Sequence, residues 1–117
     1  MLLRQCRTIK SMLTIVETPL FQSQWPDYWE ERERDEFAVW LAQSPEAGDV
    51  VPGSGGVRKV RWSRGGSGKR GGVRVVYFNR LANGEIWLLL IYSKSALDNV
   101  PANVLKQLKR EIEDGND

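Results

Sequence analysis

The chain has no histidine and a single cysteine, Cys6, among its 117 residues. Histidine-based acid–base catalysis is therefore excluded. An internal disulfide is impossible, and no Cys/His cluster has the spacing of a zinc site. A reducing, cytoplasmic setting fits this usage. Long apolar runs are also missing. The longest, Ile86 to Ile91, falls far short of the roughly 20 residues that span a bilayer. The opening Met1 to Ser11 carries Arg4, Arg7 and Lys10 but no apolar core of signal-peptide length. Neither secretion nor a membrane partner is expected. Met12 offers a second initiator just ahead of the first strand-like residues, so 1–11 are expected to form a disordered extension and 12–117 a single domain, a usual size for one hydrophobic core.

A further absence is local. Between Val50 and Gly84 there is no acidic residue, while Arg58, Lys59, Arg61, Arg64, Lys69, Arg70, Arg74 and Arg80 all fall there. The preceding segment, Glu17 to Asp49, is the reverse: Glu17, Asp27, Glu30, Glu31, Glu33, Asp35, Glu36, Glu46 and Asp49 stand against Arg32 and Arg34. The formal charge of +2 thus hides a strong segregation. Clustered cations gain affinity by releasing counterions from phosphates, so the basic half implies a polyanion partner. The acidic residues from Asp27 to Glu36 read most simply as the solvated face of a helix.

Leu13 to Glu17 reads as a strand that ends where Thr18 and Pro19 offer an N-cap and a first helical residue. A brief helix through Phe21 to Trp25 follows. Asp27 and Glu30 have the spacing of a capping box, and Phe37, Trp40 and Leu41 make an apolar stripe, which predicts a helix from Tyr28 to Gln43. Pro45 to Gly56 is a loop by composition. Arg58 to Trp62 reads as a strand with one cationic face, and Val73 to Phe78 as a second strand. Asn83-Gly84 is a hairpin signal leading to Glu85–Tyr92, a near-continuous apolar run suited to a central strand. Pro101 opens a last helix in which Val104, Leu105, Leu108 and Ile112 form one stripe ending near Gly115. The expected fold is α+β, a small, largely antiparallel sheet packed by helices in the order β-α-α-β-β-β-α.

Gly66-Ser67-Gly68-Lys69-Arg70-Gly71 matches G-x-G-x-x-G, but strand sequence follows it where a dinucleotide site requires a helix N-terminus. Nor is it a Walker A loop, since Arg70 follows Lys69 where Ser or Thr should bind magnesium. A glycine-rich cationic loop between strands is the better description. Metal-dependent nuclease chemistry needs converging carboxylates, which the basic half lacks, and no metal or cofactor is expected. Lys, Arg and Tyr remain. They can cleave RNA by 2′-hydroxyl attack: Arg pairs bidentately with phosphate, and a Lys crowded by other cations can exchange protons. The alternative is that these cations only bind nucleic acid. Trp40 and Trp87 read as core. Trp62, beside Arg61 and Arg64, is either core or a base-stacking surface. Tyr92 is either a strand-end tyrosine or an active-site hydroxyl.

The segments Val57-Arg58-Lys59-Val60-Arg61-Trp62, Gly68-Lys69-Arg70-Gly71-Gly72-Val73-Arg74-Val75-Val76-Tyr77-Phe78 and Leu89-Leu90-Ile91-Tyr92-Ser93-Lys94-Ser95 resemble toxins of the RelE/HigB family, and the HigB-like branch most, with the similarity running from about Met12 to Ile112. The resemblance implies a RelE-like fold and a toxin of a type II toxin–antitoxin system, a ribosome-dependent endoribonuclease that cuts messenger RNA in the ribosomal A site. It also implies an antitoxin partner with a helix-turn-helix domain, and operator DNA reached through that antitoxin. By position, Lys59 and Arg61 look like the family's base and phosphate-binding pair. Arg74 resembles the arginine that stabilises the transition state, and Tyr92 and Lys94 fall in the strand-end region that supplies further catalytic groups. Arg58, Arg64, Lys69, Arg70 and Trp62 are the expected RNA contacts. The alternatives are a non-catalytic RNA- or ribosome-binding module and an antitoxin-binding co-repressor of the same fold.

Overall fold

The computed structural model describes residues 13–62, 72–93 and 100–115. Strand β1 (Thr14–Glu17) runs into helix α1 (Pro19–Gln24), a 3-10 turn at Trp25–Asp27 and helix α2 (Glu31–Gln43). Strands β2 (Asp49–Val50), β3 (Arg58–Trp62), β4 (Val73–Arg80) and β5 (Glu85–Ser93) follow, then helix α3 (Ala102–Gly115). Thr18 caps α1 as expected: its Oγ1 accepts the Phe21 N–H at 3.1 Å and its hydroxyl donates to the Leu89 carbonyl at 3.2 Å, tying the helix start to β5.

Helix α2 starts three residues later than its sequence predicts. The capping box is built by Glu30 and Glu33, whose Oε1 accepts the Glu30 N–H at 3.3 Å, and the Asp27 position closes the 3-10 turn instead. Arg34 then reaches back across the layer, and its Nε and Nη2 bind the two Glu17 oxygens at 2.7 and 2.9 Å while its guanidinium lies 4.6 Å from the Trp25 ring centre. This fork holds α2 against β1.

The sheet has the order β1-β5-β4-β3-β2. The β2–β3, β3–β4 and β4–β5 pairs are antiparallel and β1 joins β5 in parallel, so the sheet is mixed. The two-residue β2 lies within the segment read from sequence as loop; it is too short to show a period. Asn83-Gly84 does end the β4–β5 hairpin, through a 3-10 turn at Leu81–Asn83 and a left-handed Gly84 with φ +71°.

The core is double. One face of the sheet carries Val60, Val75, Tyr77, Leu88 and Ile91 under Phe21, Trp29, Phe37 and Leu41 of the α1–α2 layer. The other carries Val57, Val76, Phe78, Leu90 and Tyr92 under Leu105, with Leu108 and Ile112 packed alongside. Each fully buried side chain of this kind contributes about 1.5–3 kcal/mol. Val104, expected on the α3 stripe, is 41% exposed. The registers Val76↔Leu90 and Tyr77↔Leu88 leave Leu89 as an extra residue, a β-bulge in β5. Leu89 and Leu90 both belong to the α3-side core, so the bulge reverses the alternation and carries Tyr92 to the α3 side as well.

Candidate nucleic-acid interface

Alternation along β3 places Lys59 and Arg61 on one face and Arg58, Val60 and Trp62 on the other. Cross-strand partners in an antiparallel pair share a face. Arg61 stands opposite Arg74, and Arg74 opposite Tyr92. Lys59 stands opposite Val76, which belongs to the α3-side core. Arg61, Arg74 and Tyr92 therefore form one row across β3, β4 and β5 on the α3 side of the sheet. With strands about 4.8 Å apart, the backbone positions of the row span roughly 10 Å, and Lys59 lies roughly 6.6 Å from Arg61 along the same strand.

Exposure is graded along the row. Arg61 is exposed, Arg74 and Lys59 are half-buried, and Tyr92 is 4% exposed. Burial pushes the Tyr92 hydroxyl above the usual tyrosine range, and the positive charge of Arg74 opposes that shift without cancelling it. Tyr92 thus stays protonated at neutral pH, and its hydroxyl keeps its proton to donate. The row brings two guanidinium groups onto one face, with an ammonium beside them and a buried hydroxyl at the β5 end.

The two remaining described candidates are held elsewhere. Arg58 Nη1 donates to the Gly48 carbonyl at 2.7 Å and, more weakly, to the Glu46 carbonyl at 3.4 Å, on the face away from Arg61. Trp62 packs into an aromatic cluster, its ring centre 5.3 Å from Phe37 and 5.0 Å from Trp40. Its Nε1–H is buried without a partner. Of its two sequence readings, the structure gives Trp62 the core one, because strand parity turns it away from Arg61. Arg64, Lys69, Arg70 and Lys94 lie outside the described residues.

A loop clamp, missed by the sequence reading, fastens the 45–48 segment to β4 on the opposite face of the sheet from the row. The Tyr77 hydroxyl donates to the Pro45 carbonyl and accepts the Gly48 N–H, both at 2.9 Å, and Asn79 Nδ2 adds a bond to Pro45 at 3.0 Å. Burial raises the Tyr77 hydroxyl above its ordinary range, with the Gly48 N–H opposing. A Cβ on Gly48 would lie 2.8 Å from the Lys59 carbonyl oxygen, so only glycine fits this approach. The clamp delivers β2 to the sheet with Asp49 opposite Lys59. The acidic helix α2 packs on the other side of the sheet from the row. Among the described residues no group of three or more His, Cys, Asp or Glu gathers at metal-binding distance, and no helix is long and apolar enough to cross a membrane.

No family model matches the chain. Solved structures do. The E. coli toxin RelE in the free state, carrying two arginine-to-alanine substitutions, is 14% identical with a TM-score of 0.58 over 85% of this chain and 97% of that one. The toxin–antitoxin complex RelBE of E. coli gives 14% identity and a TM-score of 0.53 over 69% of this chain and 95% of the matched one. At this identity the likeness establishes the fold, which is RelE-like.

Proposed function

We propose that this chain is the toxin of a type II toxin–antitoxin pair, of the HigB-like branch, and that it inhibits translation in the cytoplasm by cutting messenger RNA in the ribosomal A site without a metal ion. The observation that carries this reading is the Arg61–Arg74–Tyr92 row beside Lys59, on a fold shared with E. coli RelE. Its partner would be an antitoxin with a helix-turn-helix domain that reaches operator DNA, a reading supported by the likeness to the toxin–antitoxin complex.

In the proposed reaction the ribose 2′-oxygen attacks the adjacent phosphorus and the bond to the 5′-oxygen breaks, leaving a 2′,3′-cyclic phosphate and a 5′-hydroxyl. Lys59 is assigned as the acceptor of the 2′-hydroxyl proton. Arg61 holds the phosphate, and Arg74 stabilises the added negative charge of the phosphorane through its two-pronged donor face. Tyr92, kept protonated by burial, donates toward the departing 5′-oxygen. Lys94, one residue past β5, is assigned as a further donor, and Arg64, Lys69 and Arg70 as phosphate contacts of the glycine-rich loop.

The test is primer extension on a reporter message in a purified translation system, with and without ribosomes, comparing the unsubstituted protein with Arg74→Ala. Cleavage within codons that requires both ribosomes and Arg74 is the expected result. An uncut message with translation still blocked points to a non-catalytic binding module. No effect on translation, with antitoxin binding retained, points to a co-repressor.

A further inference from the structure

Strand β1 ends at Glu17, opposite Leu88, and among the described residues no strand pairs with the outer edge of β5 beyond that point. Two residues of the chain that follows β1 take the place of one. The Thr18 N–H donates to the Leu88 carbonyl at 3.1 Å, and its hydroxyl donates to the Leu89 carbonyl at 3.2 Å. Gln24, the half-buried last residue of α1, accepts the Ile91 N–H on its Oε1 at 3.2 Å. Successive residues of an unbroken strand turn their backbone groups to opposite edges, so Leu88 and Ile91 would face opposite ways. Here both face the outer edge. The bond to Gln24 therefore fits only the bulged register, in which Leu89 is the extra residue.

Side-chain burial does not choose that register. Leu88, Leu89, Leu90 and Ile91 are all buried, and a strand without the bulge would bury the same four apolar side chains, with Leu90 and Ile91 exchanging faces. Such a slip sends every later side chain to the opposite face of the sheet. The residue whose surroundings change in kind is Tyr92. Counted on from Tyr77↔Leu88 without a bulge, Arg74 would stand opposite Ile91, and Tyr92 would turn to the α1–α2 side beside Val73. We propose that Gln24, together with Thr18, is a positioning residue for RNA cleavage: it specifies the bulged register of β5 and so keeps Tyr92 beside Arg74. The proposal rests on reading the row as the cleavage site with Tyr92 as a donor. Both residues act through the β5 backbone and not on the RNA. Thr18 also caps α1, so its loss would mix two effects, and Gln24 is the residue to test.

The experiment compares Gln24→Met, which keeps the length of the side chain and removes the acceptor, with Gln24→Glu, which keeps an acceptor oxygen at the same reach. Single-turnover cleavage of a reporter message is followed over a range of ribosome concentrations. Gln24→Met should lower the maximal rate constant by about 10–100-fold, the effect of displacing a reacting group by about 1 Å, and leave the half-saturating ribosome concentration within about twofold. Gln24→Glu should restore most of the rate. In a Tyr92→Phe background Gln24→Met should cost little more, because the hydroxyl it positions is already gone, whereas in an Arg61→Ala background its full effect should remain. Nuclear Overhauser contacts in isotope-labelled protein, without RNA or ribosomes, read the register directly. In Gln24→Met the Arg74–Tyr92 backbone contact should weaken and an Arg74–Ile91 contact appear. Where Gln24→Met is too unstable to assay, Gln24→Asn, one methylene short of Ile91, replaces it. A rate within about twofold of the original, a full loss that persists in Tyr92→Phe, or an unchanged register would overturn the proposal while leaving cleavage by the row intact. If the unsubstituted protein cuts no message, the cleavage reading fails and this role with it, even where the register contacts still move with Gln24.

Discussion

Arg74 stands directly opposite Tyr92 in the β4–β5 ladder, a permanently charged donor next to a hydroxyl that burial keeps protonated. Their roles in the proposed reaction differ, and so should the effects of replacing them. Arg74→Ala is expected to lower ribosome-dependent cleavage by about 10²–10³-fold in kcat, and Arg74→Lys to recover only part of it, because an ammonium keeps the charge and loses the fork. Tyr92→Phe removes only the donor, with a loss of about a hundredfold. Single-turnover cleavage rates with ribosomes in excess check all three, and rates within twofold of the original would remove both residues from the chemistry.

Arg58 and Arg61 are three residues apart and face opposite ways, which separates two kinds of arginine. Arg61→Ala should weaken binding of single-stranded RNA and make the salt slope shallower by about 0.7, the single-strand value for one lost phosphate contact. Arg58→Ala should leave the slope unchanged. It should instead cost about 1–3 kcal/mol in urea unfolding, because the Gly48 carbonyl loses its charged donor.

For Trp62 the structure predicts a stability effect without a binding effect. Trp62→Ala opens the contact with Phe37 and Trp40 and should cost about 3 kcal/mol. Affinity of the folded fraction for single-stranded RNA should be unchanged. A base-stacking tryptophan would give the reverse pattern in the same titration.

Alkaline pH tests the two buried tyrosines. Tyr77 and Tyr92 both have folded-state values above the ordinary tyrosine value of 10.0. The protonated form is favoured by folding, so their contribution to stability is complete below about pH 10 and is lost as pH rises through the higher folded values. The melting temperature should fall above pH 10. Tyr92→Phe, with nothing to ionise, should flatten part of that decline. A decline of the same steepness in Tyr92→Phe would show that Tyr92 ionises alike in both states.

Apart from β2, the element order was legible in the sequence, as were the Thr18 cap on α1, the hairpin at Gly84 and the central place of β5, because each rests on local residue chemistry or on a long apolar run. The cationic face of β3 was legible too, since Lys59 and Arg61 are two residues apart. What escaped was set by pairing. The β5 bulge that turns Tyr92 toward Arg74 leaves no mark in Leu88-Leu89-Leu90-Ile91, where every residue is apolar. The parallel addition of β1 and the two-residue β2 depend on partners at least eight residues away in the chain. Asp49 looked like the end of an acidic stretch, and only the β2–β3 register makes it the neighbour of Lys59.

The parallel pairing of β1 with β5 also sets an order of events during synthesis. Thr18 binds the Leu89 carbonyl across 71 residues of chain, so the first strand has no sheet to join until the hairpin ending in β5 has left the translating ribosome. Contacts of such high sequence separation close late and slowly. The row of Arg61, Arg74 and Tyr92 is completed at the same moment, since it needs β5 in place. A nascent chain therefore carries no assembled row until β5 has emerged from the ribosome that makes it.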